Sequence, residues 1–209
     1  VMNESFPIDY VIFSSGAGIM QLSGRKIIRS AYFTVEEVAS ICQRLKKLNF
    51  DFMVFKPIPD NHYFYYYRSR PENPDFDRRL EVYDGYGKPF PETNDFEAAQ
   101  FLCIESLDIS RYELVKAEFP QFNVIRATSP LDSVSLWIEI FPKGVNKGEA
   151  SRWLAQQARI AKDDCLVLGN DYNDIDMLSW ATSACVVGNA PPDLKRMFPA
   201  VPSQAESGF

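Results

Sequence analysis

The chain has 209 residues, 46% apolar and 24% charged, which suits one large or two small globular domains and excludes a disordered chain. With 22 basic against 28 acidic residues the net charge is −6, so the basic face of a duplex nucleic-acid binder is missing, while phosphate chemistry stays open where a bound cation supplies positive charge. No apolar run approaches the roughly 18 residues of a membrane span, and no basic stretch followed by an apolar one marks a signal peptide; the sequence reads as cytoplasmic, with neither nucleic acid nor membrane as a partner.

Tyr10-Val11-Ile12-Phe13 reads as a buried strand that runs into a tight turn at Ser14-Ser15-Gly16. Residues 19–28 read as a hairpin. Thr34 before Val35-Glu36-Glu37 has the form of a capping box, and Val38, Ile41, Cys42 and Leu45 follow at helical spacing, which predicts a helix over 35–48. Phe50 to Phe55 reads as a strand, and tyrosine-dense His62 to Arg68 as another. Polar, Pro-rich 69–78 reads as a loop, 94–100 as a weak helix, Phe101–Ile104 as a strand and Ile109–Phe119 as a helix. Asn123–Ala127 and Ser133–Ile140 read as a pair of strands, the second alternating apolar and polar like a half-buried strand.

The last third has another grain. Ala150, Trp153, Leu154 and Ala158 share a helical face, with Trp153 expected in the core. Cys165–Leu168 is a continuous apolar strand of the kind covered on both sides, Ile175–Trp180 a helix and Ala184–Val187 a further strand. That order predicts βαβ units, with the two ends of the chain forming one parallel α/β layer and the middle inserted as an α+β module. Cys42, Cys103, Cys165 and Cys185 lack metal or disulfide spacing and read as small buried hydrophobes; His62 is the one histidine.

Asn170-Asp171-Tyr172-Asn173-Asp174 follows a strand and precedes a helix, at the carboxyl end of a strand where ligands bind in open α/β sheets. Two carboxylates and two carboxamides form a hard-oxygen set suited to Mg²⁺; the alternative is an Asx-rich turn that caps the next helix. Lys147 opens a helix, where the dipole disfavours a cation unless an anion is shared with it; the alternative is a solvated lysine. Gly188-Asn189-Ala190-Pro191 is a third loop at a strand's carboxyl end.

Asn-Lys-Gly-Glu-Ala at 146–150, Gly-Asn-Asp-Tyr-Asn-Asp-Ile-Asp-Met-Leu at 169–178 and Gly-Asn-Ala-Pro at 188–191 together resemble the third and fourth motifs of the haloacid dehalogenase (HAD) superfamily, in its Cof-like, sugar-phosphatase-like branch. Asp9–Ala17 resembles a strand of that branch that usually ends Asn-Gly-Ala, with Ser15 in the Asn place. The resemblance implies a Rossmann-like parallel-sheet core over 1–32 and 128–209 with an inserted α+β cap over 33–127. It implies Mg²⁺-dependent hydrolysis of a small phosphorylated metabolite such as a sugar phosphate, through an aspartyl-phosphate. By resemblance Lys147 is catalytic, Lys147, Asn173 and Asn189 bind phosphate, and Asn170, Asp171 and Asp174 hold the metal, with Asn170 in place of the usual carboxylate. The aromatics of His62–Arg68 would lie in the cap, either facing the substrate or packed in its core.

The family's first motif, Asp-x-Asp-Gly-Thr, does not occur in the sequence, nor does the second at its expected place. The chain is therefore read as an N-terminally incomplete member with little or no turnover of its own, and Val1 in place of Met agrees. The alternative is a non-catalytic phosphate-binding or interaction module. Without the strand that carries the nucleophile, the sheet edges need cover, for which a homo-oligomer is one solution.

Overall fold

In a computed structural model, which describes residues 8–93, 95–203 and 205, strand β1 (Tyr10–Phe13) turns through Ser14–Gly16 into β2 (Gly18–Gln21), and β2 into β3 (Lys26–Ser30). Both pairings are antiparallel, in the order β1-β2-β3. The first turn is strained: Ser14, Ser15 and Gly16 have φ of +47°, +49° and +103°. Only glycine fits the third position, because a Cβ there would lie 2.5 Å from the Asn146 carbonyl oxygen.

Helix α1 (Val35–Lys47) starts at the expected capping box, with Thr34 and Glu37 satisfying each other's backbone amides. Then follow β4 (Phe52–Phe55), β5 (Phe64–Tyr67), α2 (Pro74–Val82), β6 (Gly87–Pro89), β7 (Gln100–Glu105), α3 (Ile109–Glu118), β8 (Asn123–Thr128) and β9 (Leu136–Phe141). The strands make one sheet in the order β6-β5-β4-β7-β9-β8, with β5 and β6 parallel and the other neighbours antiparallel. Helices α1 and α3 cover one face through Val38, Ile41, Leu45, Val115 and Phe119, packed on Phe52, Phe101 and Ile138. Helix α2 covers part of the other through Phe76, against Met53, Phe64, Leu102 and Trp137. Burying one such side chain is worth about 1.5–3 kcal/mol, so this two-sided sheet holds most of the apolar stabilisation.

The last part comprises α4 (Lys147–Ala158), β10 (Leu166–Gly169), α5 (Ile175–Trp180), β11 (Ser183–Val186) and α6 (Pro192–Met197). β10 and β11 are parallel and joined through α5, a βαβ unit around Leu178, Val186, Val187 and Leu194. Among the described residues no helix is long and apolar enough to cross a membrane.

Several expectations are corrected. Residues 74–78 are helical rather than loop, because Asn73 caps the helix by accepting from the Phe76 amide and Pro74 occupies its first position, where a missing N–H costs nothing. No helix spans 95–100; Ala98 instead bridges Phe33, and residue 94 lies outside the described residues. The two chain ends do not share one sheet among the described residues: β1 takes its neighbour in sequence as an antiparallel partner, and the parallel sheet has β10 and β11 alone. A domain boundary after residue 127 would cut a paired hairpin, since Ala127 faces Trp137 and Thr128 faces Leu136, and the six-stranded sheet runs on to Phe141. Leu166 of β10 is 74% exposed, so that strand is not covered along both faces. Trp153 is half-buried under the Arg29 guanidinium, and Cys165 and Cys185 are half-buried whereas Cys42 and Cys103 are buried.

Candidate functional site

β10 ends at buried Gly169, and the chain then folds back at 170–174. Asp171 caps the turn by accepting from the Tyr172 amide at 2.8 Å. Asp174 closes it from the other side, its Oδ2 accepting from the amides of Asn170 at 2.7 Å and Asp171 at 3.2 Å. The Asx-turn reading of this segment thus holds, and the turn presents a second use: Asp174 is only 3% exposed, and its Oδ1 faces outward from the turn.

Helix α4 delivers the counter-charge. Asn146 caps it through the Glu149 amide at 2.7 Å, which fixes Lys147 in the first turn. The Lys147 ammonium donates to Asp174 Oδ1 at 2.5 Å and to Asn173 Oδ1 at 3.1 Å. The cation that the helix dipole disfavours is therefore offset by a nearly buried carboxylate. Gly148 permits the approach of α4 to α5, because a Cβ there would lie 2.5 Å from the Asp176 carbonyl oxygen. Gly148→Ala is expected to destabilise by about 1–3 kcal/mol despite alanine's better helix propensity, since backbone must move. Thermal unfolding of the variant checks the sign.

The site residues expected from sequence fall into two linked groups. Lys147, Asn173 and Asp174 form the ion-paired group. Asn170, Asp171 and Asn189 line a cavity of about 560 Å³ together with Thr128, Ser129 and Pro191. The backbone amides of Asn170 and Asp171 on Asp174 Oδ2 join the groups.

Sequence reasoning missed the groups supplied by the six-stranded sheet. Thr128 at the end of β8 donates to Asp171 through its amide at 2.6 Å and its hydroxyl at 3.3 Å. Beside it, the Arg126 guanidinium lies 3.5 Å from the Tyr172 ring centroid, and the Tyr172 hydroxyl donates to Asp193 at 3.0 Å. On β9, Glu139 accepts from Gln100 at 2.7 Å and from Ser15 at 3.2 Å. Burial pushes the Glu139 carboxyl up, against the Ser15 hydrogen bond, the Lys147 charge, the Gln100 hydrogen bond and the Arg79 charge. Ser14, next to Ser15, accepts from Asn61 at 2.8 Å. The signal was present but weak: a glutamate in mid-strand, on the same face as Trp137 and Phe141. Tyr66 and Tyr67 pack against the sheet's two apolar clusters, Tyr65 lies 4.9 Å from the Phe96 ring centroid, and Arg68 is held by Asp77 and the Pro71 carbonyl.

The donors fit a hard cation in kind. Asp171 and Asp174 each bring two carboxylate oxygens that already accept hydrogen bonds around the turn, including the reciprocal capping-box bonds between the two residues, and the Asn170 side chain is exposed. Among the described residues no three His, Cys, Asp or Glu gather as a metal cluster. Two carboxylates and a carboxamide supply about half of an Mg²⁺ octahedron, the rest being left to water or ligand.

A family model described as haloacid dehalogenase-like hydrolase matches residues 2–208. A Mycoplasma pneumoniae protein named "Putative phosphatase" is 26% identical over 203 residues, covering 90% of this chain and 66% of that protein. An HMP-PP phosphatase of Cronobacter sakazakii is 40% identical over 65 residues, covering 31% of this chain and 24% of its own length. The chain thus spans less than two thirds of these relatives. Among solved structures, a phosphatase of the haloalkanoate enzyme superfamily from Bacteroides thetaiotaomicron superposes with a TM-score of 0.76 at 15% identity, over 98% of this chain and 72% of that one. A HAD subclass IIB sugar phosphatase gives 0.70 at 18% identity, over 93% and 70%. At such identities these structures establish the fold.

Proposed function

Because the chain belongs to the haloacid dehalogenase-like hydrolase family, we propose that its site holds the phosphoryl group of a small phosphorylated metabolite, such as a sugar phosphate, for Mg²⁺-dependent hydrolysis of the phosphate monoester. The observation that carries this reading is the Lys147 ammonium at 2.5 Å from Asp174 and 3.1 Å from Asn173, at the opening of a helix. An ammonium and helix amides at one point form an anion site, and charge neutralisation there is what phosphoryl transfer requires. Lys147 and Asn173 take the phosphoryl oxygens, with Asn189 on the cavity side. Asn170, Asp171 and Asp174 hold the metal, which when bound neutralises phosphate charge. The names of the relatives support the reaction class.

A second reading has its own support. Asp171 and Asp174 are both held in the turn by amides, a hydroxyl and the ammonium, so this reading assigns them to positioning and metal binding and not to attack on phosphorus. The sequence has no Asp-x-Asp-Gly-Thr. The 209 residues taken alone then act as a phosphate-binding module.

The test is Mg²⁺-dependent hydrolysis of p-nitrophenyl phosphate, run beside calorimetric titration with inorganic phosphate. The 209-residue chain is expected to bind phosphate with turnover at background, and a longer product of the same reading frame that carries an Asp-x-Asp-Gly-Thr to turn over. Robust turnover by the chain alone would overturn the account of its carboxylates. A chain that binds no phosphate would overturn both readings.

A further inference from the structure

Arg79, in the last turn of α2, is the one buried arginine among the described residues, at 9% exposed. Its guanidinium carbon lies 5.5, 4.5 and 4.6 Å from the ring centroids of Phe55, Tyr83 and Trp137, so three aromatic side chains cage it. Its Nε is buried without a hydrogen-bond partner. Arg68, Arg70, Arg111 and Arg126, all less buried, each pair with a carboxylate, whereas among the described residues none stands at ion-pair distance from Arg79. Asp75 and Glu139 share its surroundings, but both are turned to other donors. Asp75 Oδ1 pairs with Arg78 at 3.3 Å and its Oδ2 accepts from Trp137 Nε1 at 2.8 Å, while Glu139 accepts from Gln100 and Ser15. Burial pushes the Arg79 guanidinium down, against the charge and hydrogen bond of Tyr83 and the charges of Glu139 and Asp75.

A buried guanidinium with an orphan donor is costly, and aromatic rings offset part of that cost without accepting the N–H. The Nε–H and the Nη–H on the same side form a fork that fits both oxygens of one carboxylate. The surroundings limit the charge of such a ligand. Two carboxyl groups already lie around the cage, so a dianion meets more repulsion there than a monoanion does. The way in passes Tyr83, which is 39% exposed, is the C-cap of α2 and precedes exposed residues 84–86. Turning that ring outward opens the cage to solvent and leaves Phe55 and Trp137 in the sheet.

We infer that Arg79, ringed by Phe55, Tyr83 and Trp137, is a receptor for the carboxylate of a small monoanionic ligand. The inference does not depend on phosphate being held at Lys147, and stands or falls without it.

The test is a nuclear magnetic resonance titration of the full chain with sodium acetate, at constant ionic strength held with sodium chloride. It reads the arginine Nε–H and tryptophan indole N–H signals. The Arg79 signal is assigned by its loss in Arg79→Lys, and the Trp137 signal by its loss in Trp137→Phe. Acetate is expected to shift the Arg79 signal downfield and saturably, with a Kd of about 1–10 mM, and to shift the Trp137 signal with the same midpoint. Inorganic phosphate, at a mildly alkaline pH where it is largely a dianion, should act on these two signals about tenfold more weakly. Arg79→Lys keeps the charge but loses the fork, so acetate binding read on Trp137 should weaken about tenfold. Arg79→Met keeps the packing of the stem and removes the orphan donor, so the Trp137 response should vanish while the Tm does not fall. An unsaturated drift with acetate, or the same shift with chloride alone, marks a diffuse anion atmosphere and overturns the inference. A Trp137 response that survives in Arg79→Met overturns it as well. So does a Tm several degrees lower in that variant, because the rings would then satisfy the cation in place of a ligand.

Discussion

Lys147→Met is expected to weaken phosphate binding roughly 10- to 150-fold and to destabilise the chain at the same time. The two effects share one cause. The ammonium is the sole cation within ion-pair distance of Asp174 among the described residues, and Asp174 is 3% exposed. Methionine keeps most of the side-chain volume but leaves that carboxylate without its counter-charge. Loss of one partner of a buried pair costs about 3–5 kcal/mol. Here the cost is smaller, about 1–3 kcal/mol, because Asp174 keeps two amide donors and the Lys147 side chain is itself 29% exposed. For the ligand, one charge-assisted contact is worth about 1.5–3 kcal/mol, or roughly 10- to 150-fold in affinity. The double variant Lys147→Met with Asp174→Asn separates the terms. It removes the orphaned charge, so stability should recover in part while phosphate binding stays weakened. Recovery of binding in the double variant would show that Lys147 serves only to neutralise Asp174.

The features legible in the sequence are those in which a local rule and the tertiary structure agree. The Thr34 capping box, the hairpin of β2 and β3, and the strand-turn-helix at 166–180 each rest on neighbours in sequence. The site loop was legible for the same reason, since Asp171 and Asp174 act first on amides one to four residues away. Where a polar composition hid a cap, the reading failed. Asn73-Pro74 is a helix start, and buried Phe76 and half-buried Leu80, four residues apart, are its apolar stripe. Distant partners failed altogether. Nothing near residue 139 in sequence says that Ser15 is 124 positions away and 3.2 Å distant, or that Thr128 closes on Asp171. The alternation of β9 marked a half-buried strand without singling out Glu139, and the face that carries it meets the turn after β1 through Ser15 and the cluster of Ala17 and Phe141. A boundary drawn at 127 follows from the same error, because it assigns β9 by its position in the chain instead of by its hydrogen-bonded neighbours.

Asp51→Ala is expected to cost about 3–5 kcal/mol, the largest single loss outside the apolar core, because a fully buried charge is removed from a set of donors built around it. Its Oδ1 accepts from the Ser69 amide at 2.7 Å, the Ser69 hydroxyl at 3.1 Å and the Arg70 amide at 3.2 Å, and its Oδ2 from Asn73 at 2.9 Å. Arg70 stands 3.4 Å away and also binds Glu105, itself 2% exposed and paired with Arg111. Asn73 is the link to function. It caps α2, which places Phe76 and Arg79 on the same face of the sheet as Glu139. For a chain of this size the loss corresponds to a fall in Tm of about 10 °C. The pH dependence has a definite sign. Burial raises the Asp51 carboxyl, but the hydrogen bonds from Asn73 and Ser69 and the Arg70 charge and amide together hold it below its ordinary 3.8. A depressed folded value means stability that is fully present above pH 3.8 and is lost as the pH falls through the lower folded value. The gap in unfolding free energy between the unaltered chain and Asp51→Ala should therefore be constant near neutrality and narrow below pH 3.8. Denaturant unfolding at a series of pH values measures it, and a gap that widens on acidification would mean that Asp51 is held by its burial and not by its donors.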